Sequence, residues 1–221
     1  MLDINHSFLT RINNIVSSVD APLLLPISPN LPNSEDVAEE LVMRTHQALE
    51  ETYDIVAGVL IDTASFFSYG SLGFASLEAI FEMLHELDIT IVADSPGCFS
   101  SNGIRAIQDC FCLPSSPMFS HALRFFGDKS IENQMVNNTY STIFLSYEHD
   151  FIHTSNPNAR TQYPDAFLLF DGESPKQLRR RDGSGVLHVA RAMDTVMWKE
   201  QEEGMIRESF IQCAKDFLSL P

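Results

Sequence analysis

An α/β fold with a parallel sheet, closed into a barrel of the TIM type, is the architecture that the sequence predicts. Short apolar segments alternate with amphipathic ones along the whole chain, which is typical of βα units. No G-x-G-x-x-G or G-x-x-x-x-G-K pattern follows a predicted strand, so the nucleotide-binding fingerprints of open sheets are missing. The barrel is therefore favoured over an open doubly wound sheet. No linker interrupts the 221 residues, and we expect one domain spanning residues 1–221.

Six apolar segments predict strands. Residues 21–28 form a short apolar run that Ser-Pro-Asn closes. Residues 55–61 (IVAGVLI) are apolar throughout, as in a strand covered on both faces. The other predicted strands are residues 89–93, 143–146, 166–170 and 186–189. Barrel enzymes carry their chemistry at the C-terminal ends of strands, so these ends are where functional residues are expected.

Six further segments predict helices. The N-terminal segment is amphipathic, with Phe8, Ile12, Ile15 and Val16 at helical spacing. Ser34 is a suitable N-cap for the second helix, residues 35–52. The other predicted helices are residues 72–87, 102–110, 130–137 and 205–218.

The composition is strongly acidic, with 30 Asp and Glu against 14 Lys and Arg and a net charge of −16. Such a charge repels phosphate backbones and anionic lipid, so nucleic acid and membranes are not expected partners. No apolar run reaches the roughly 18 residues of a membrane span. The N-terminus lacks the basic start and cleavage site of a signal peptide, and we expect a cytoplasmic protein with reduced cysteines.

One pair of histidines has the spacing of metal ligands. His149 and His153 stand four residues apart with acidic neighbours, which on a helix would place both rings on one face. The apolar Phe151 and Ile152 between them, and the strand-like surroundings, oppose a helix there. We therefore predict no metal site, and no motif indicates a bound cofactor.

Six segments, taken in order, resemble one known family. They are LLPISPNLP at residues 24–32, SFFSYG at 65–70, DSPGCFS at 94–100, FGDKS at 126–130, TSNP at 154–157 and VLHVARAMD at 186–194. This succession is similar to the longer bacterial branch of the orotidine 5'-phosphate decarboxylase family. The family's counterparts include C-V-G-L-D-P-x-L-P, A-F-F-E-x-x-G, D-A-K-R-G-D-I and T-S-N-P. The resemblance covers nearly the whole chain and implies a TIM-type barrel.

The resemblance also implies a reaction and the residues that perform it. The family removes CO₂ from C6 of a pyrimidine nucleotide without a cofactor, and a Lys-Asp-Lys-Asp array carries the chemistry. The corresponding positions here are Ile61, Asp94, Pro96 and Phe99, so only Asp94 is retained. Ser28 replaces the ribose-contacting Asp of the first strand. Because proline and phenylalanine cannot donate a proton, we predict that the array no longer works.

Candidate substrate-binding residues are better kept. Arg191 takes the position of the family's phosphate-contacting arginine, and Ser155 and Asn156 fall where the family binds the pyrimidine edge. The phosphate loop is poorly matched, because residues 170–174 (FDGES) contain two carboxylates. Without the resemblance, Arg191 is an ion-pair partner in an acidic protein, and Asp94 caps the helix that follows it.

Three functional hypotheses follow. The leading one is an orotidine 5'-phosphate decarboxylase-like pseudoenzyme, kept as a binding or interaction protein or present as a decaying gene product. The second is a diverged enzyme or binder that acts on a phosphorylated, nucleotide-like ligand through Asp94 and Arg191. The third is an active carboxy-lyase with relocated catalysts. Because the family forms a dimer at the mouth of the barrel, we expect a homodimer.

The chain is short for a complete barrel. Eight βα units typically need about 250 residues, and only residues 158–165 separate Pro157 from the next predicted strand. About one βα unit is therefore expected to be missing after Pro157. We predict a barrel that is short of a strand, or one closed irregularly through residues 146–153. Either opening would expose strand edges that a second subunit could cover.

Overall fold

The structure, a computed structural model, describes residues 4–17, 19, 21–95, 101–126, 129–136, 140–146, 150–172, 178, 185–199 and 204–218. Within them, eight parallel strands follow one another around a single sheet. Strands β1 to β8 are Leu23–Ile27, Gly58–Asp62, Ile91–Asp94, Ala122–Arg124, Thr142–Phe144, Phe151–Thr154, Phe167–Phe170 and Val186–Val189. Strand β1 pairs with both β2 and β8, so the sheet curls into a barrel. The predicted TIM-type fold is confirmed.

Helices occupy most of the connections between strands. Helices α1 to α9 are Ile4–Val16, Val37–Thr52, Thr63–Phe67, Gly70–Glu86, Ser101–Ile107, Lys129–Val136, Ala159–Gln162, Met193–Val196 and Met205–Leu218. A five-residue turn of π-helix, Gln108–Cys112, continues α5. The longest helices, α2 and α4, follow β1 and β2 and pack against each other. No helix in these ranges is long and apolar enough to cross a membrane.

The barrel has one weakly joined seam, between β5 and β6. Among the described residues a single bridge between Leu145 and Ile152 joins these strands. The Leu145 amide donates to the Phe151 carbonyl at 3.1 Å, and the His153 amide donates to the Leu145 carbonyl at 2.8 Å. The irregular closure predicted through residues 146–153 is therefore confirmed.

The alternative prediction, a barrel that lacks about one βα unit after Pro157, is wrong. All eight strands are present, and β6, α7 and β7 follow one another around Pro157, so the barrel is not short of a strand there. What is short is the connection, since α7 has only four residues. The six predicted strands are present, while β4 and β6 were not predicted. These two have three and four residues, too few for a clear pattern.

Helix α1 closes the N-terminal end of the barrel. Its Phe8 is 3% exposed and belongs to the cluster that fills the barrel interior. The Phe8 ring meets the rings of Phe144, Phe151 and Phe167 edge-on, with centroids 5.9 to 6.4 Å apart. Arg11 ties the same helix to the start of β3, because its Nε donates to the Thr90 hydroxyl at 2.8 Å. A second, larger cluster fills the space between the strands and the outer helices.

Candidate functional site at the barrel mouth

The C-terminal ends of the strands, here called the mouth, bring together four charged side chains. Side chains alternate along a strand, so residues two apart share a face. Val92 and Ala122 belong to the interior cluster, and Asp94 and Arg124 lie two residues beyond them on β3 and β4. In the same way Asp171 follows Leu169 of β7, and Arg191 follows Val189 of β8. Strand alternation thus directs all four into the mouth.

Arg124 is the centre of this group. It is only 5% exposed. Its Nε donates to Asp94 Oδ1 at 3.0 Å, its Nη2 donates to Asp94 Oδ2, and its Nη1 donates to Asp171 Oδ2. The guanidinium also lies over the Phe126 ring, 5.2 Å from the centroid. Burial by itself would lower the pKa of Arg124, but the two carboxylates raise it above its usual value, so the residue stays charged.

Arg191 meets the same Asp171 from the other side. Its Nε donates to Asp171 Oδ1 and its Nη2 donates to Asp171 Oδ2, both at 2.7 Å. Its Nη1 donates to Asp194 Oδ2 at 3.0 Å and to the Ser28 hydroxyl at 3.4 Å. These hydrogen bonds, that to Asp171 foremost, raise the pKa of Arg191. Five residues, Asp94, Arg124, Asp171, Arg191 and Asp194, thus form what we call the mouth ion-pair chain.

The pKa values of Asp171 and Asp94, two carboxylates of the mouth ion-pair chain, are shifted in opposite directions. Burial would raise the pKa of Asp171, but the hydrogen bonds from Arg191 and Arg124 outweigh it and hold that pKa well below its usual range. For Asp94, burial outweighs the pairing with Arg124 and raises the pKa. The nearby charge of Asp62 acts in the same direction. Asp171 is therefore the more firmly ionised of the two.

Strand β2 ends in Asp62, one residue after Ile61, the residue that the family resemblance matched to a catalytic lysine. Ile61, the predicted counterpart of the family's first lysine, is fully buried in the outer cluster and faces away from the mouth. Asp62 is the residue of β2 that pairs in register with Asp94. Its carboxylate accepts the Ser65 amide at 3.2 Å and so caps α3. The predicted replacements Pro96 and Phe99 lie outside the described residues.

The remaining predicted binding residues occupy the loop after β6. Ser155 and Asn156 are both exposed. Asn156 Oδ1 accepts the Asn158 amide at 2.9 Å, so this side chain stabilises its own turn. Within the described part of the chain, no hydrogen bond joins Ser155 or Asn156 to Asp94 or Arg191. The structure thus brings Asp94 and Arg191 into one network and leaves the predicted pyrimidine-edge residues outside it.

His153 lines the mouth on β6. Its Nε2 is 3.1 Å from the Phe125 carbonyl and donates to it in the tautomer with the proton there. Its ring lies 4.5 Å from that of Phe126. Burial, together with the charge of Arg124, lowers the pKa of His153 to about 4, so the ring is neutral at pH 7. No group of three or more His, Cys, Asp or Glu side chains that could hold a metal ion occurs among the described residues.

A cavity of about 640 Å³ opens beside Arg191. Its lining includes Asp171, Gly172 and Ala190 from the strand ends and Asp216 and Phe217 from α9. Its polar wall thus sets two carboxylates beside one guanidinium. An anionic ligand that enters this cavity meets Arg191 already paired with carboxylates.

Arg124 and Asp171 are the residues that sequence reasoning did not assign to the site. A signal for Arg124 exists, since an isolated arginine ends the short apolar run Ala122-Leu123. The run is too short to reveal a strand by itself. Asp171 was noted only as a misfit in the phosphate loop. Its pairing with Arg124, 47 residues away in sequence, appears only when the barrel is formed.

Eight parallel strands with intervening helices, and charged residues at their C-terminal ends, define a TIM-type barrel. No protein-family model and no curated protein sequence matches the chain. Solved structures do match it. The structure of Leishmania donovani OMP decarboxylase superposes with a TM-score of 0.71 at 16% sequence identity, and the match covers 96% of this chain and 98% of that one. Plasmodium berghei orotidine 5'-monophosphate decarboxylase gives 0.70 at 14% identity, with 96% and 100% covered.

A third solved structure, Leishmania donovani UMP synthase, matches with a TM-score of 0.67 and 15% identity over 95% of this chain and 55% of that one. The barrel is therefore similar in fold to those of solved orotidine 5'-phosphate decarboxylases. The resemblance predicted from the six sequence segments is confirmed at the level of the fold. Identities this low establish the fold alone, so function must be argued from the mouth.

Proposed function

We propose that this chain is a decarboxylase-like barrel that does not decarboxylate orotidine monophosphate and acts instead as a binding or interaction protein. The observation that carries the proposal is the pairing of Asp94 with Arg124. Asp94 is the one retained member of the predicted catalytic array. In this structure the Asp94 carboxylate pairs with the guanidinium of Arg124 on the next strand, and not with a lysine that could act on a substrate.

The missing proton donor supports the same conclusion. Decarboxylation at C6 leaves a carbanion that must receive a proton. The resemblance assigns this step to one of the two lysines of the array, which belong to the family's second and third strands. The first lysine of the whole sequence is Lys129, well beyond β3. Arg124 cannot replace it, because its pKa is raised and a guanidinium at neutral pH does not give up a proton.

A decarboxylation assay tests the proposal directly. Purified protein is incubated with orotidine monophosphate, and the conversion to uridine monophosphate is followed by absorbance. A solved relative such as the Leishmania donovani enzyme serves as positive control. We expect no turnover above the rate without protein. Turnover that disappears in Asp94→Asn but survives in Asp54→Asn, an exposed acid paired with Arg207, would show that catalysis persists at the mouth.

A second candidate function is the binding of a phosphorylated, nucleotide-like ligand. It is favoured by the cavity beside Arg191, whose side chain keeps 35% of its surface exposed. Uridine monophosphate at millimolar concentration should then raise the thermal unfolding midpoint of the wild type. Arg191→Met should abolish that shift and Arg207→Met should not, because Arg207 pairs on the surface with Asp54. No shift in the wild type would reject this candidate.

We also propose that the protein associates as a homodimer through its mouth face. Phe67 and Phe74, which follow the end of β2, are 38% and 39% exposed and stack with centroids 6.2 Å apart. Phe126 at the end of β4 is 43% exposed. Aromatic side chains of this kind are enriched at protein interfaces. Light scattering at micromolar concentration should give twice the chain mass. Phe74→Asp should halve it, whereas Met43→Asp, on the exposed side of α2, should not.

A further inference from the structure

Two arginines at the mouth converge on one carboxylate. Asp171 Oδ1 accepts one N–H from Arg191, and Asp171 Oδ2 accepts one from Arg191 and one from Arg124. Three charge-assisted donors around one oxyanion is the arrangement that proteins use to bind carboxylate or phosphate groups. We infer that Arg124 and Arg191 form an oxyanion-binding site and that Asp171 is its built-in occupant.

Each arginine is held in place without Asp171. Arg124 is anchored by two hydrogen bonds to Asp94, and its side chain is 6% exposed. Arg191 is anchored by Asp194 and Ser28 through its Nη1. Removing the Asp171 side chain therefore leaves two positioned guanidiniums facing a space the size of a carboxylate. A site prepared in this way binds without the cost of ordering long side chains.

The charge balance identifies the class of ligand. Without Asp171, the two positive charges of Arg124 and Arg191 are balanced by the two negative charges of Asp94 and Asp194. The carboxylate of Asp171 adds one further negative charge to this balanced set. A singly charged oxyanion restores the native balance, whereas a dianion adds a negative charge beside Asp94. A small carboxylate such as formate is therefore the ligand that fits best. In the wild type, any ligand carboxylate or phosphate must first displace Asp171.

Chemical rescue of a variant tests this inference, and it does not depend on whether the protein binds a nucleotide. Asp171→Gly removes the built-in anion and opens the space. Sodium formate should raise its thermal unfolding midpoint in a saturable way, with sodium chloride of equal ionic strength as reference. At 200 mM formate and a dissociation constant of about 10 mM, the folding equilibrium shifts about 20-fold, a rise of roughly 4 to 7 °C.

Matched controls isolate the site. Asp54→Gly removes one acid from the exposed pair with Arg207 and should gain no more from formate than from chloride. The wild type should behave like this control, because Asp171 fills its site. Equal shifts with formate and chloride in Asp171→Gly would overturn the inference, as would an equal formate shift in the wild type. If Asp171→Gly is unfolded in buffer, refolding is followed by circular dichroism: recovery with formate supports the site, and failure to recover rejects it.

Discussion

Replacing Arg124 by leucine tests how much the mouth ion-pair chain contributes to stability. Arg124 is 5% exposed, and its loss leaves Asp94, 13% exposed in its side chain, without its guanidinium partner. Asp171 keeps its two hydrogen bonds from Arg191. Removing one partner of a buried pair costs about 3–5 kcal/mol. That is a large share of the roughly 5–15 kcal/mol by which domains are stable.

The assay is urea unfolding at pH 7, followed by fluorescence of Trp198, the single tryptophan of the chain. Arg207→Leu is the matched control, because its partner Asp54 is 46% exposed in its side chain. Exposed pairs contribute about 0–1 kcal/mol, so the control should remain close to wild type. Equal losses in the two variants would refute the view that burial makes the Arg124 pairs important.

The pH dependence of the Arg124→Leu variant follows from Asp94. Burial already raises the pKa of Asp94 opposite Arg124, and without the guanidinium that pKa rises further. An acid whose pKa is raised in the folded state is destabilising above that pKa and ceases to be so once protonated. The difference in unfolding free energy between wild type and variant should therefore shrink as the pH falls from 7 towards about 4. A difference that grows instead would contradict this assignment.

Two further predictions concern buried side chains at the two ends of the barrel, His153 at the mouth and Phe8 at the closed end. The pKa of His153 is lowered from 6.5 to about 4, so the unfolded chain takes up a proton that the folded chain resists, and wild-type stability falls as the pH drops through that window. The variant His153→Gln retains a donor for the Phe125 carbonyl but has no imidazole to protonate. Between pH 7 and pH 5, its free energy of unfolding, measured in urea, should decrease by about 2 kcal/mol less than that of the wild type. Parallel pH profiles of the two proteins would refute this prediction. Phe8→Ala should cost about 3–5 kcal/mol, because its ring fills the closed end of the barrel. Met43→Ala, whose side chain is exposed on α2, should change stability by no more than about 0.5 kcal/mol. Similar losses in the two variants would contradict this packing.

Much of the fold could be predicted because parallel strands buried on both faces leave continuous apolar runs, as at residues 55–61. The site was harder to predict for reasons of register. A shift of one residue along a strand turns a side chain to the opposite face. The resemblance matched Ile61 to the family's first lysine, whereas Asp62 is the residue of β2 that lies in register with Asp94, and Ile61 packs in the outer cluster.

Arg124 and Asp171 show a second limit of sequence reasoning. Strand β4 has three residues, too few for periodicity to define a strand, so the isolated arginine after Ala122-Leu123 did not by itself reveal that Arg124 enters the barrel. Its contact with Asp171 joins β4 to β7, two strands that are not neighbours in the sheet. Such a contact follows from the curvature of the sheet, and no local signal encodes it.

Because β5 and β6 are weakly joined, side-chain contacts at the mouth help to hold the barrel closed. Arg124 on β4 binds Asp171 beyond β7, and His153 on β6 reaches the Phe125 carbonyl beside β4, so both contacts span the seam. Local opening along this line should therefore precede global unfolding and be seen as fast amide hydrogen exchange at Leu145. The exchange should accelerate in Arg124→Leu, while the amides joining β1 to β2 keep their protection. A ligand that draws Asp171 away from Arg124 would then also loosen the barrel wall, which couples the occupancy of the mouth to the dynamics of the fold.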